Sequence, residues 1–334
     1  MSNQSQTFKN QKVSFVIPML NERDAIERCL DSVLTQNYPR DKIEILVIDG
    51  MSEDGSRELV KSMAQKIEQI KLFDNPRKRT PISLNIGARN AQGDIVVILG
   101  AHTKIHPDFV KHNIRYINEL NIKCVGGTQI NVGETPMQEA IGIAMGSLFG
   151  IPSAPYRFYK KKKFVDTVVY AAYKKELFDT VGYFDEKLHI SEDAEFNWRI
   201  RKAGYKIFYT PEIISYYYPR KSLRTLFKQF YNYGILRVNV IKKHPDAFKF
   251  IHILPPLFVS LLLVTAISGI LIPETSLFFF SLLAVYLIYL ITGAFITAQN
   301  TQKPEYIFKL IFIFMTMHIS WGLGFLRGIF KTYN

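Results

Sequence analysis

Two stretches near the C-terminus, Ile251 to Ile272 and Ser276 to Thr297, contain no charged side chain, and only Glu274 stands in the gap between them. At about 1.5 Å of rise per residue, each is long enough as a helix to cross a hydrocarbon core of about 30 Å, so both read as transmembrane helices. A third apolar segment, Tyr306 to Leu326, holds Lys309 near its start and His318 inside it, and is expected to span, to re-enter or to lie in the interface. Buried helices of a soluble α-rich domain are the alternative, and detergent dependence on extraction separates the two.

Charge follows the same division. Of the 42 basic and 29 acidic residues, only Glu274, Lys303, Glu305, Lys309, Arg327 and Lys331 lie beyond Phe250, which leaves +11 of the total +13 before it. Seven cations from Lys221 to Lys249 crowd the near flank of the first apolar segment, whereas Pro273-Glu274-Thr275 beyond it has none. Cations stay on the cytosolic side, so the N-terminal part is expected in the cytosol and the chain in the cytoplasmic membrane as a multi-pass protein. Residues 1–11 are polar and lack an apolar core, so no signal peptide is expected. Leu223, Leu226, Phe227, Phe230 and Tyr231 interleave with cations, which suits an interfacial helix touching membrane lipids or a core helix with a basic solvent face. The expected organisation is a polar tail at 1–11, a cytosolic domain at 12–215, an amphipathic interfacial segment at 216–250 and a membrane domain at 251–334, with helices at about 251–272, 276–297 and 306–326.

With 48% apolar and 21% charged residues and no Gly or Pro period, the chain is neither collagen-like nor disordered. Cys29 and Cys124 are too few for a disulfide scaffold or a cysteine zinc site. From Lys12 the sequence alternates short apolar runs (Val13 to Ile17, Glu44 to Ile48, Ile95 to Leu99, Cys124 to Gln129, Lys206 to Tyr209) with helical spacing (Glu22 to Thr35, Arg57 to Ile67, Ile82 to Asn90, Pro107 to Leu120, Glu192 to Ala203). This predicts an α/β fold with a mainly parallel sheet flanked by helices.

Ligands of such sheets bind beyond the carboxyl ends of the strands, so the residues after each run are the candidate site. After the first come Pro18, Asn21 and Glu22; after the second, Asp49 followed by Ser52, Asp54 and Gly55; after Leu99, Gly100-Ala101-His102. Glu192-Asp193 opens a later helix, whose positive end favours an ionised carboxylate. Read singly, Asn21, Ser52 and Asp54 are equally well caps and turn formers, and His102 equally well a structural histidine. No Gly-x-Gly-x-x-Gly follows the first strand, and no nucleic-acid-binding motif is present, so the excess of cations is better explained by anionic lipid than by nucleic acid.

The ordered series resembles the inverting, nucleotide-sugar-dependent glycosyltransferases of family two, which have the GT-A fold. It comprises Val16-Ile17-Pro18 with Asn21-Glu22, Asp49 with Ser52-x-Asp54-Gly55, Asn85-x-Gly87-x-x-Asn90 with Gly93-Asp94, and Glu192-Asp193 followed by Arg199 and Gly204-Tyr205, and it covers about Lys12 to Arg237. The resemblance implies a membrane-anchored enzyme that moves a sugar from a nucleotide diphosphate donor, in particular a UDP-sugar, to a lipid-linked or polysaccharide acceptor. It further implies donor binding by Pro18, Glu22, Asp49, Arg79 and Asn85, with Asp49 at the base, and Asp193 as the catalytic base. Glu192, Gln229 and Tyr233 fall on a strip near donor and acceptor, where many membrane-bound relatives carry Gln-x-x-Arg-Trp; Asn232 and Tyr233 depart from it. The family usually has Asp-x-Asp after the third run, to hold Mn2+ or Mg2+ on the diphosphate. Here Gly100 replaces the first carboxylate and His102 the second, a variant similar to the Asp-Ala-His of succinoglycan-type exopolysaccharide enzymes, so His102 is the expected metal ligand and His106 a second candidate. A non-catalytic nucleotide-sugar-binding subunit of a polysaccharide assembly complex is the alternative that Gly100 leaves open.

Overall fold

A computed structural model describes residues 11–152, 154–188 and 192–331. Most of the expected tail at 1–11, and Ile190 and Ser191 ahead of the acidic pair, lie outside the described residues. The chain divides into two compact units, one formed by the described residues up to 130 with 154–217, the other by 131–152 with 218–331. Residues 131–152, read from the sequence as part of 12–215, thus belong with the C-terminal helices.

In the first unit, nine strands among the described residues form one sheet: β1 (Val13–Met19), β2 (Ile43–Asp49), β3 (Ile70–Asp74), β4 (Ile95–Ile98), β5 (Thr103–Ile105), β6 (Cys124–Asn131), β7 (Lys163–Val165), β8 (Ala172–Lys174) and β9 (Ile207–Tyr217). Their order is β3-β2-β1-β4-β8-β6-β9-β5, with β7 on β9. The expected parallel sheet is the part β3-β2-β1-β4; beyond it, β8 runs antiparallel to both β4 and β6, and β5 and β7 are antiparallel to β9.

Both faces of β1 are covered, which is why its sequence is a continuous apolar run rather than an alternating one. Phe15 and Ile17 meet Ile26 and Leu30 of α1 (Ile26–Leu34) and Ile114 of α4 (Phe109–Glu119). On the opposite face, Val16, Leu46 and Ile48 meet Leu84 and Ala88 of α3 (Thr80–Asn90) and Phe196 of α7 (Glu192–Lys202). Each such buried side chain contributes about 1.5–3 kcal/mol over exposure. Gly87 lets α3 sit directly on the sheet, because a Cβ there would come 2.3 Å from Val16 Cγ1. The remaining helices of this unit are α2 (Ser56–Lys66) and the short α6 (Glu176–Val181).

The second unit contains α5 (Pro136–Met145), α8 (Leu223–Lys243), α9 (Leu254–Leu271), α10 (Ser276–Thr301) and α11 (Ile307–Phe330). Three helical segments, Phe250–Leu271, Pro273–Thr301 and Pro304–Phe330, are long and apolar enough to cross a membrane. Val264, Ile267, Ile270, Leu277, Phe278 and Ile288 are all more than half exposed, an apolar surface that suits lipid rather than water. Helix α8, capped by Ser222 Oγ on Thr225 N at 3.3 Å, lies against α11 with almost no side chain between them. A Cβ on Gly234 would meet Trp321 O at 2.3 Å, and one on Gly324 would meet Tyr231 O at 2.0 Å. Small residues permit this backbone approach. Lys242 Nζ then donates to the carbonyls of Gly328 (3.1 Å) and Ile329 (2.7 Å) at the end of α11, where a cation is favoured. The 131–152 segment is tied in by Tyr306 Oη on Glu139 Oε2 at 2.7 Å and by His318 Nε2 on Phe149 O at 2.7 Å.

Candidate active site

Pro18 has no N–H to give a neighbouring strand, and β1 pairs with β4 only as far as Val16↔Ile98, while its pairing with β2 continues to Met19↔Asp49. Beyond that parting, a cavity of about 320 Å³ opens within the first unit. Pro18 lines it from the end of β1 and Glu22 from the loop that follows, Gly100 and His102 from beyond the end of β4, Arg79 from the turn before α3, and Glu192 and Asp193 from the start of α7. Six side chains singled out in the sequence therefore share one wall, although they are spread over more than half of the chain.

His102 Nδ1 lies 3.1 Å from Glu22 Oε1. An ionised carboxylate only accepts, so Nδ1 carries the proton of this bond, and in the neutral imidazole Nε2 then keeps its lone pair. A carboxylate behind one imidazole nitrogen is the arrangement found behind metal-bound histidines. Among the described residues no three His, Cys, Asp or Glu side chains cluster as a resident metal site would require. His102 therefore fits a cation that arrives with diphosphate oxygens, not one held by the protein alone. His106 is engaged differently, its Nδ1 accepting from Asp108 N at 3.2 Å.

Burial first, and then the negative charge of Asp193, push the Glu192 carboxyl up to about 8. Beside Asp193, Glu192 is thus held toward its neutral form. Helix α7 is locked behind them: Arg199 donates to Glu195 Oε1 (2.9 Å), to Val181 O (2.7 Å) and to Tyr183 O (2.8 Å), and Asn197 Nδ2 donates to Thr167 Oγ1 (2.9 Å).

Asp49 and Asn85 do not line the cavity. Asp49, fully buried, accepts from Ser52 Oγ at 2.6 Å and from Arg57 Nη1 at 2.7 Å, and Arg57 reaches on to Asp74 at 2.8 Å. Ser52 in turn accepts from Asn21 N, Ser56 from Glu22 N and Asp54 from Arg23 N, each at 2.9 Å. The polar turns after β1 and β2 thus form one clamp, with Asn21, Met51 and Gly55 at positive φ. Burial opposes the charge of Asp54, but hydrogen bonds from Ser56 and from the Arg23 amide outweigh it and lower its pKa. Asn85 joins α3 to the 184–186 turn, donating to Phe184 O at 2.9 Å and accepting from Phe184 N at 2.8 Å. Gln229 and Tyr233 belong to α8 in the second unit, one turn apart and joined at 2.9 Å; Tyr233 lines another cavity there, of about 310 Å³, with Tyr286 and Trp321. Tyr170, which lines the 320 Å³ cavity, was missed: Val169-Tyr170-Ala171 carries no local signal, and only the fold brings it beside Gly100.

Residues 14–182 match the model of the family described as glycosyl transferase family 2. The chain belongs to glycosyl transferase family 2. This family-2 glycosyltransferase is 29% identical over 327 residues to the dolichyl N-acetyl-alpha-D-glucosaminyl phosphate 3-beta-D-2,3-diacetamido-2,3-dideoxy-beta-D-glucuronosyltransferase of Methanococcus voltae, covering 96% of this chain and 97% of that protein. It is also 29% identical over 231 residues to the succinoglycan biosynthesis protein ExoA of Rhizobium meliloti, covering 69% of this chain and 70% of that protein. Among solved structures, the mannosyltransferase PcManGT from Pyrobaculum calidifontis, in complex with GDP-Man and Mn2+, matches with a TM-score of 0.62 at 19% identity, over 96% of this chain and 87% of that one. This likeness shows the fold, a GT-A-like sheet flanked by helices followed by apolar helices.

Proposed function

We propose that this glycosyltransferase moves one sugar from a UDP-sugar to a lipid-linked acceptor at the cytosolic face of the cytoplasmic membrane, with inversion at the anomeric carbon. The observation that carries the reading is that one cavity is lined by Arg79, His102 and Asp193 together, room for a diphosphate and an alcohol in one place. The acceptor oxygen bonds to the anomeric carbon while the bond from that carbon to the diphosphate breaks. Asp193 takes the hydroxyl proton as the new bond forms, and the nucleoside diphosphate leaves with the electron pair. Glu192, protonated beside it, keeps a second negative charge away from the incoming alcohol and the departing anion. Arg79 faces the diphosphate charge. His102, oriented by Glu22, would hold a divalent cation, Mn2+ or Mg2+, through Nε2, and that ion when bound screens the charge on the leaving group. Clamped by Asp49, Ser52 and Arg57, the loops beside Pro18 and Glu22 keep the nucleotide end of the cavity fixed. The acceptor class is supported by the near full-length match to an enzyme named for a dolichyl-linked substrate and by the three apolar helices.

The test is to incubate the protein in membranes with UDP- and GDP-sugars and lipid extract, with and without Mn2+. Glycosylated, organic-extractable lipid formed from a UDP-sugar is the expected product. Binding of nucleotide sugar without turnover under any condition would instead support a non-catalytic binding subunit.

A further inference from the structure

The space beside Gly100 is already filled. A Cβ there would come 3.3 Å from Thr103 Oγ1, 3.5 Å from Tyr170 Cε1 and 3.7 Å from the Tyr170 hydroxyl. A side chain at 100 would therefore lie in van der Waals contact with a phenol. Tyr170 lines the same cavity as Arg79, His102 and Asp193. Its backbone is left-handed, with φ 47°, which is uncommon for a bulky residue and is found where surrounding structure enforces it. That enforcement is visible: Ile98 N donates to Ala171 O at 3.2 Å, and Ala172 pairs with Val97 across β8 and β4. Burial raises the pKa of the Tyr170 phenol, so at neutral pH it is an O–H donor and not an anion.

We propose that Tyr170 takes over from the missing carboxylate by another chemistry: its hydroxyl donates a hydrogen bond directly to a diphosphate oxygen of the donor. This rests on the nucleotide-sugar reading above and adds a binding residue and a consequence that reading does not contain. A carboxylate can hold a diphosphate only through a metal, whereas a phenol holds it without one. Nucleoside diphosphate binding is therefore largely independent of divalent cations in this chain.

Titration calorimetry of the full chain in detergent, with UDP as the probe and with or without Mn2+, tests this. In the intact protein, UDP binds without metal and Mn2+ improves the affinity by less than about tenfold. Tyr170→Phe keeps the ring and loses only the donor, and metal-free UDP affinity falls by about tenfold or more, as expected for a hydrogen bond to a charged group. Adding Gly100→Asp to Tyr170→Ala, which vacates the ring, makes UDP binding depend on Mn2+, seen independently as loss of the free Mn2+ electron paramagnetic resonance signal. Unchanged UDP affinity in Tyr170→Phe, with circular dichroism intact and Asp193→Asn still losing transfer, overturns the role of Tyr170 and leaves the enzyme reading in place. An absolute Mn2+ requirement for UDP binding in the intact protein also overturns it. No binding of UDP or GDP under any condition overturns both.

Discussion

The turns after β1 and β2 and the ends of β4 and α7 hold equally polar residues, yet they use them in opposite ways. Around the first pair, Asp49, Ser52 and Arg57 are tied together, Asn21 is tied to Ser52 and Asp54 to Ser56 and the Arg23 amide, and Asp49 is fully buried. Around the second, His102, Glu192 and Asp193 line a cavity. One region builds a wall and the other offers chemistry, and a residue's place in a motif does not tell which.

Substitution separates the two. The largest effect is expected at Asp193: Asp193→Asn removes the base and lowers transfer by about 10²–10⁴-fold while UDP binding and the unfolding midpoint stay near wild type, as radiochemical transfer and calorimetry would report. Arg57→Met should act oppositely. It leaves Asp49 buried with only Ser52, at a cost of about 3 kcal/mol, so the midpoint of thermal unfolding falls by several degrees and activity at low temperature falls far less. Next is Glu22→Gln, which releases the tautomer of His102 and should weaken Mn2+ retention with UDP by about tenfold or more, read by electron paramagnetic resonance, with little change in stability. The last effect concerns pH. The Glu192 pKa lies at about 8 in the folded state, above its ordinary 4.5, so the folded chain keeps a proton that the unfolded chain releases. Stability contributed by that group is present below about 4.5 and is lost as pH rises through about 8; Glu192→Gln should flatten this slope in a pH series of unfolding midpoints.

The contrast also explains what the sequence made legible. Strands β1, β2 and β4 and helices α1 to α4 were recoverable because long apolar runs and helical spacing mark them, and helices α9 and α10 because uncharged length alone identifies them. In the antiparallel half of the sheet β6 and β9 were marked by apolar runs, but the three-residue strands β5, β7 and β8 between and beside them are too short to show a period, so the antiparallel pairing was hidden. The excursion of 131–152 into the second unit was equally hidden, since α5 is apolar whichever core it joins. Within the site, Pro18, Glu22, His102, Glu192 and Asp193 stood out by their positions at strand and helix ends, and Arg79 through the resemblance. Asp49 and Asn85 were assigned to the donor by resemblance, yet their side chains face Arg57 and the Phe184 backbone, a distinction that depends on side-chain partners and not on sequence position. Tyr170 needed the fold itself.

A structure of the full chain with UDP bound, by electron cryomicroscopy in lipid nanodiscs, tests the account most directly. It should show the diphosphate in the 320 Å³ cavity beside Arg79, His102 and Tyr170, with Asp193 facing the position of the anomeric carbon. A diphosphate seated elsewhere, or one in that cavity with Asp193 turned away from its outer phosphate, would contradict it.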